Sequence, residues 1–70
     1  MQLVVYIGKN LKRLRIRSAL TQEALAKEAG LTPTAISRIE RDEAEPHLST
    51  VRKLAAALKV APYQLIEEEE

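Results

Sequence analysis

Thr34, Ser37, Arg38 and Arg41 recur at intervals of three and four, the spacing that gathers side chains on one side of a helix. Ile36 and Ile39 mark the opposite, apolar side. The outward side therefore carries two small hydroxyls and two guanidiniums, with no acid before Glu40. Hydroxyls donate and accept hydrogen bonds, and a guanidinium offers a rigid fork of donors. This is the chemistry of reading polar edges and anions, and such a face could enter a DNA major groove. Bond-breaking chemistry finds no support. The chain has no Cys, and its one His, His47, follows Pro46. Ser18, Ser37 and Ser49 have no base at a suggestive spacing. No carboxylate pair stands out as an acid–base couple, so an enzyme is not expected.

The elements that must position this face lie in QEALAKEAGLTPTAISRIER, residues 22–41. Thr21 is a helix cap, and Leu25, Ala26 and Ala29 share one face of the helix it starts. Gly30 tolerates the positive φ that ends a helix, and Leu31 plugs the turn. Thr32 caps the next helix, with Pro33 at its first position, where a missing N–H costs nothing. Two helices with so few core positions need the rest of the chain as cover. Before them, Leu3, Ile7, Leu11 and Leu14 share a helical face, and that helix runs to about Arg17. Its start falls between Leu3 and Tyr6, and the apolar residues 1–5 pack on the core or on a partner subunit. Ser18, Ala19 and Leu20 form a connector anchored by Leu20. After the loop of residues 42–46, His47 stands at an N-cap. Leu48, Val51, Leu54, Ala55 and Leu58 form the next apolar stripe. Lys59, Val60 and Ala61 make a turn. Pro62 then opens a short last helix whose Leu65 and Ile66 close the core. The pattern predicts an all-α, five-helix domain over residues 1–66, then an acidic, frayed tail over residues 67–70.

Composition narrows the partners. At 70 residues the chain is one domain, and a domain so short buries only about 60% of its unfolded surface. The absence of Cys excludes disulfides and thiolate metal sites, and one His cannot make a His-rich cluster. No metal or cofactor is expected. Two aromatics, Tyr6 and Tyr63, are too few for a base-stacking platform. No apolar run approaches the ~20 residues of a membrane span. Residues 3–7 are too short for a signal-peptide core. A cytoplasmic protein without membrane contact is therefore expected. The net charge of +1 hides a segregation. Residues 1–41 hold eight Lys/Arg against three acids, a net +5; residues 42–70 hold three against seven, a net −4. That division fits a one-sided polyanion-binding surface, and equally the charge scatter of a small helical protein.

Small Ala26, Gly30, and apolar Leu25, Ala29, Leu31, Ile36 and Ile39 fit the helix-turn-helix pattern, and the flanks sharpen it. With LKRLRIRSALTQEALAKEAG, ISRIE and EPHLSTVRKLAAALKV, the chain resembles the phage-repressor (Cro/C1, XRE-type) DNA-binding family from about Ile7 to Ile66. The resemblance implies a compact domain whose second and third helices form the helix-turn-helix. It also implies that residues 32–41 lie in the major groove, as in phage repressors. The positions matching base-contacting ones are Thr32, Pro33, Thr34, Ser37 and Arg38. Pro33 can only touch a thymine methyl or fix the helix start. Arg38 can bond guanine O6 and N7 together, or bind phosphate alone. The resemblance assigns phosphate contact to Gln22, at the positive end of the second helix, and to Arg41. Arg13 and Arg17 are further candidates, for which a solvated face, or for Arg17 the helix dipole, is the competing account. An ion pair of Arg15 with Glu40 is implied, locking the recognition helix to the first. Where the family commonly ends the third helix with Gly, this chain has Asp42, which tolerates the left-handed conformation better than most. Asp42, Glu43 and Glu45 also place three acids in a loop that passes near phosphates, and these should lower DNA affinity.

The expected function is a sequence-specific double-stranded DNA-binding regulator, more usually a repressor, acting as a homodimer on a palindromic operator. One such module buries too little surface on DNA for tight specific binding. Val60, Tyr63 and Ile66 mark the expected dimer surface. The alternative is a protein-interaction module of the same fold, of antitoxin or coactivator type, with a protein partner and weak DNA binding. A homeodomain fits less well, because Trp and Phe are absent and the one Asn, Asn10, precedes the motif.

Overall fold

Both helices of the central motif begin at a threonine, and the hydroxyl explains why. Thr21 Oγ1 accepts from the Ala24 N–H at 3.0 Å, and Thr32 Oγ1 from the Ala35 N–H at 3.1 Å. Each satisfies one of the N–H groups that a helix start leaves unpaired. In the computed structural model, which describes residues 7–68, five helices follow in order. They are α1 (Ile7–Arg17), α2 (Gln22–Ala29), α3 (Pro33–Glu40), α4 (Leu48–Leu58) and α5 (Tyr63–Ile66). Leu3 and Tyr6, the alternative starts of the first helix, lie outside the described residues.

Four helix ends close in one way. After α2, Leu31 N–H donates to Ala26 O at 2.8 Å and Gly30 N–H to Lys27 O at 3.3 Å. The same paired bonds recur at Leu20 and Ala19 after α1, at Glu43 and Asp42 after α3, and at Val60 and Lys59 after α4. Each is a Schellman turn, which needs one left-handed residue. Gly30 supplies it at φ 71°, but Ala19, Asp42 and Lys59 take it at 58°, 60° and 59°. A side chain in that region costs about 1–2 kcal/mol. Packing compensates: the residue that follows, Leu20, Leu31 or Val60, is partly buried against the core. Glu43 is the polar exception, and it is exposed.

The core joins Ile7, Leu11 and Leu14 of α1, Leu25, Ala26 and Ala29 of α2, Ile36 and Ile39 of α3, Val51, Leu54, Ala55 and Leu58 of α4, and Leu65 of α5. Leu48 departs from its expected place in the α4 stripe. It is 47% exposed, because it is the first residue of the helix, at the margin of the core, whereas Val51 three residues on is fully buried. His47 is the N-cap of α4 but makes no side-chain capping bond. Ile66 is only partly buried beside fully buried Leu65.

Two α1 residues outside the apolar pattern set its neighbours. Asn10 is 1% exposed, and its Nδ2 donates to Leu65 O at 2.9 Å and Glu67 O at 2.8 Å. It thus satisfies the buried Leu65 carbonyl and ties down the residue that follows α5. This bond reaches one residue into the stretch expected as tail. Gly8 faces the end of α3: a Cβ there would stand 2.5 Å from Ile39 O and also against Asp42 Oδ1. Only glycine lets α1 seat this closely on α3. Among the described residues, no helix is long and apolar enough to cross a membrane.

Candidate nucleic-acid interface

Among the described residues, none covers the outer side of α3. Thr32, Pro33, Thr34, Arg38 and Arg41 are exposed and Ser37 is half-buried. Thr34, Ser37, Arg38 and Arg41 form one stripe down the helix. Thr32 spends an acceptor on its cap but keeps its hydroxyl hydrogen. Thr34 presents both a methyl and a hydroxyl.

Beneath this stripe lies one polar node. Arg15 Nε donates to Glu40 Oε2 at 2.6 Å and Nη2 donates to Oε1 at 3.1 Å, a two-pronged ion pair. The side chains are only 12% and 4% exposed. The hydrogen bond it donates to Glu40 holds the Arg15 guanidinium above its ordinary pKa, against burial, which acts in the other direction. Arg15 Nη1 also donates to Leu20 O at 2.8 Å, tying in the α1–α2 connector. Gln22, in the first turn of α2, donates from Nε2 to Glu40 Oε1 at 3.0 Å. One carboxylate therefore links α1, α2 and α3, and its charge is neutralised beneath the outward stripe of α3.

The cations expected at phosphates fall in two places. Arg41 stands at the end of α3, where its Nη2 lies 3.1 Å from Glu43 Oε1, both side chains more than half exposed. Arg13 and Arg17 stand on the α5 side of α1, around a shallow groove shared with Tyr63, Gln64, Glu67 and Glu68. Arg13 also reaches Asn10 Oδ1 at 3.4 Å. Arg15, by contrast, is turned to α3. Asp42, Glu43 and Glu45 are all exposed beside the end of α3.

Sequence reasoning missed Asn10, Gly8 and the Gln22–Glu40 bond. Asn10 did leave a signal, since it interrupts the apolar face of Ile7, Leu11 and Leu14. Nothing local marks Gly8 as a contact point, or Gln22 as a partner of Glu40.

The fold and this uncovered helix are those of a helix-turn-helix protein, and comparison with known proteins agrees. The family model described as Helix-turn-helix matches residues 11–65. The chain belongs to the Cro/C1-type (XRE) helix-turn-helix family, whose members are DNA-binding transcription regulators and not enzymes. A hypothetical transcription factor of Neisseria meningitidis serogroup B is 42% identical over 60 residues, covering 86% of this chain and 57% of that protein. The immunity repressor protein of Bacillus phage phi105 is 36% identical over 63 residues, covering 90% of this chain and 44% of that protein. The chain thus spans about half the length of these relatives. Among solved structures, the P22 c2 repressor in complex with synthetic operator 9T superposes with a TM-score of 0.83 at 32% identity. That match covers 90% of this chain and 96% of the repressor chain.

Proposed function

We propose that this protein is a sequence-specific double-stranded DNA-binding transcriptional regulator, acting as a repressor, with residues 32–41 in the major groove. The observation that carries the reading is the stripe of exposed Thr34 and Arg38 with half-buried Ser37, free of acids and backed by a neutralised Glu40. Thr32, Pro33, Thr34, Ser37 and Arg38 meet base edges, with Arg38 paired to a guanine. Gln22 and Arg41 hold phosphates. Arg13 and Arg17, which share their groove with Glu67 and Glu68, make outer phosphate contacts in competition with those carboxylates. The binding domain is assigned to residues 1–66, with residues 67–70 an acidic segment beyond it. Action on DNA places the protein in the cytoplasm, at the nucleoid.

The operator is palindromic and the protein binds it as a homodimer. The longest dimension of the described residues is 30 Å, just under the ~34 Å between successive major grooves on one face of B-DNA. Two copies can therefore sit side by side. Tyr63, 59% exposed, with partly buried Val60 and Ile66 beside it, supplies the surface between them.

The test is selection of bound duplexes from a random pool, with the parent protein and with Arg38→Ala. The parent should return a palindromic consensus. The variant should lose preference at one base pair of each half-site, a loss of about 1–3 kcal/mol of discrimination, while melting unchanged. An identical consensus from both proteins would remove Arg38 from base reading. The exposed acids Asp42, Glu43 and Glu45 favour a second reading, a module for a basic protein partner. Duplex affinity that stayed weak and sequence-blind at low salt would select it. A DNA binder instead loses affinity with a log–log salt slope of about −0.9 per phosphate contact.

A further inference from the structure

Glu40 receives three hydrogen bonds, although the two from Arg15 already neutralise its charge and engage both oxygens. The third, from Gln22 Nε2 to Oε1 at 3.0 Å, adds little to Glu40 but much to Gln22. A side-chain amide has two ends of nearly equal shape and opposite use: the oxygen only accepts, and the nitrogen only donates. At a helix start facing water, Gln22 would present either end. Towards phosphate the difference decides the sign, since the oxygen repels an anion and the nitrogen bonds it. A carboxylate accepts only, so Glu40 selects the nitrogen end and consumes one of its two hydrogens. The other hydrogen stays available at the first turn of α2. Arg15 cancels the charge that would otherwise push a phosphate away, and its bond to Leu20 O steadies the group.

We propose that Glu40 is a positioning residue for DNA binding, one that fixes the amide of Gln22 with its donor end towards the phosphate backbone. The proposal rests on the DNA-binding reading above. Glu40 itself touches no DNA; it acts through Gln22. The same carboxylate closes the end of α3, so the phosphate clamp and the base-reading helix are referred to a single group and keep a fixed spacing.

A double-mutant cycle tests this, using the parent, Gln22→Ala, Glu40→Gln and the double variant, with the duplex that the parent selects. In the parent background, Gln22→Ala should weaken binding about tenfold to a hundredfold, the effect of one hydrogen bond to a charged group. In the Glu40→Gln background the amide is free to turn over, and removing Gln22 should change affinity by less than about twofold. Equal losses in the two backgrounds would overturn the proposal. If Glu40→Gln fails to fold, Glu40→Asp keeps the charge but withdraws the carboxylate by one methylene, and the same comparison applies. A second readout needs no DNA. In ¹⁵N spectra of the free protein, one Gln22 side-chain N–H should be shifted and slow to exchange, and Glu40→Gln should abolish both features. A Gln22 amide indistinguishable from those of solvent-exposed glutamines would overturn the proposal. A parent protein that selects no duplex would sink the DNA-binding reading, and this inference with it. A parent that binds but shows uncoupled losses sinks this inference alone.

Discussion

Arg41 and Glu43 form a weak contact that bears on the proposed phosphate role of Arg41. Their pair is exposed on both sides, and such pairs contribute about 0–1 kcal/mol in water. A phosphate can therefore displace Glu43 from Arg41, but the displaced charge then repels the DNA. Glu43→Gln should tighten duplex binding roughly two- to fivefold at low salt. The gain should fade as the Debye length shortens. Affinity unchanged at low salt would show that Arg41 takes no part. Arg15 is the opposite case. Its partner Glu40 is almost fully buried, and removing one member of such a pair leaves the other uncompensated, at a cost of about 3–5 kcal/mol. Arg15→Ala should lower the melting temperature by at least about 10 °C, read by circular dichroism. An unchanged melt would mean that the pair does not hold α3 to α1.

The helices are short, and their ends do much of the placing. α2 and α3 have eight residues each, too few to be stable alone. Threonine caps fix where they begin, and Schellman turns fix where they stop. The recognition helix is further seated by α1 through Gly8. Gly8→Ala would drive a methyl into Ile39 O, and the backbone must move to admit it. Overpacking of this kind costs about 1–3 kcal/mol, so the midpoint should fall by several degrees. Because the displaced carbonyl belongs to α3, duplex affinity should fall as well, even well below the melting temperature. A variant that melts and binds like the parent would show that α1 does not approach α3 so closely.

Basic residues are concentrated in the first 41 residues, with α3 at their end, and the acids fall mostly beyond it. Such a body meets a polyanion best from one side, and the proposed dimer would use another. Tyr63 is the large apolar side chain left exposed on α5. Tyr63→Ser, which adds no charge beside Arg13 and Arg17, should leave the monomer folded and its binding to a single half-site unchanged. It should cost about a hundredfold or more on the two-site duplex, since linked sites gain by effective concentration. Sedimentation of the protein–DNA complex would read the stoichiometry directly. Full two-site affinity in the variant would move the dimer contact elsewhere.

Caps, turn and the outward polar stripe of α3 were legible from the residues alone. Thr21, Gly30, Thr32, Pro33 and the two isoleucines act on neighbours within one or two turns of chain, so their types and spacing suffice. The expectation failed at Leu48, since a stripe records which side of a helix is apolar but not how far along it the core extends. The left-handed Ala19 and Lys59 carried no local signal, because packing of the next residue compensates their strain. Asn10 reaches Glu67 across 57 positions, and Gln22 reaches Glu40 across 18. Contacts over such separations exist only once the core has brought the helices together. The sequence determined which helix could read DNA; the tertiary structure decided how that helix is held and which side chains are turned to it.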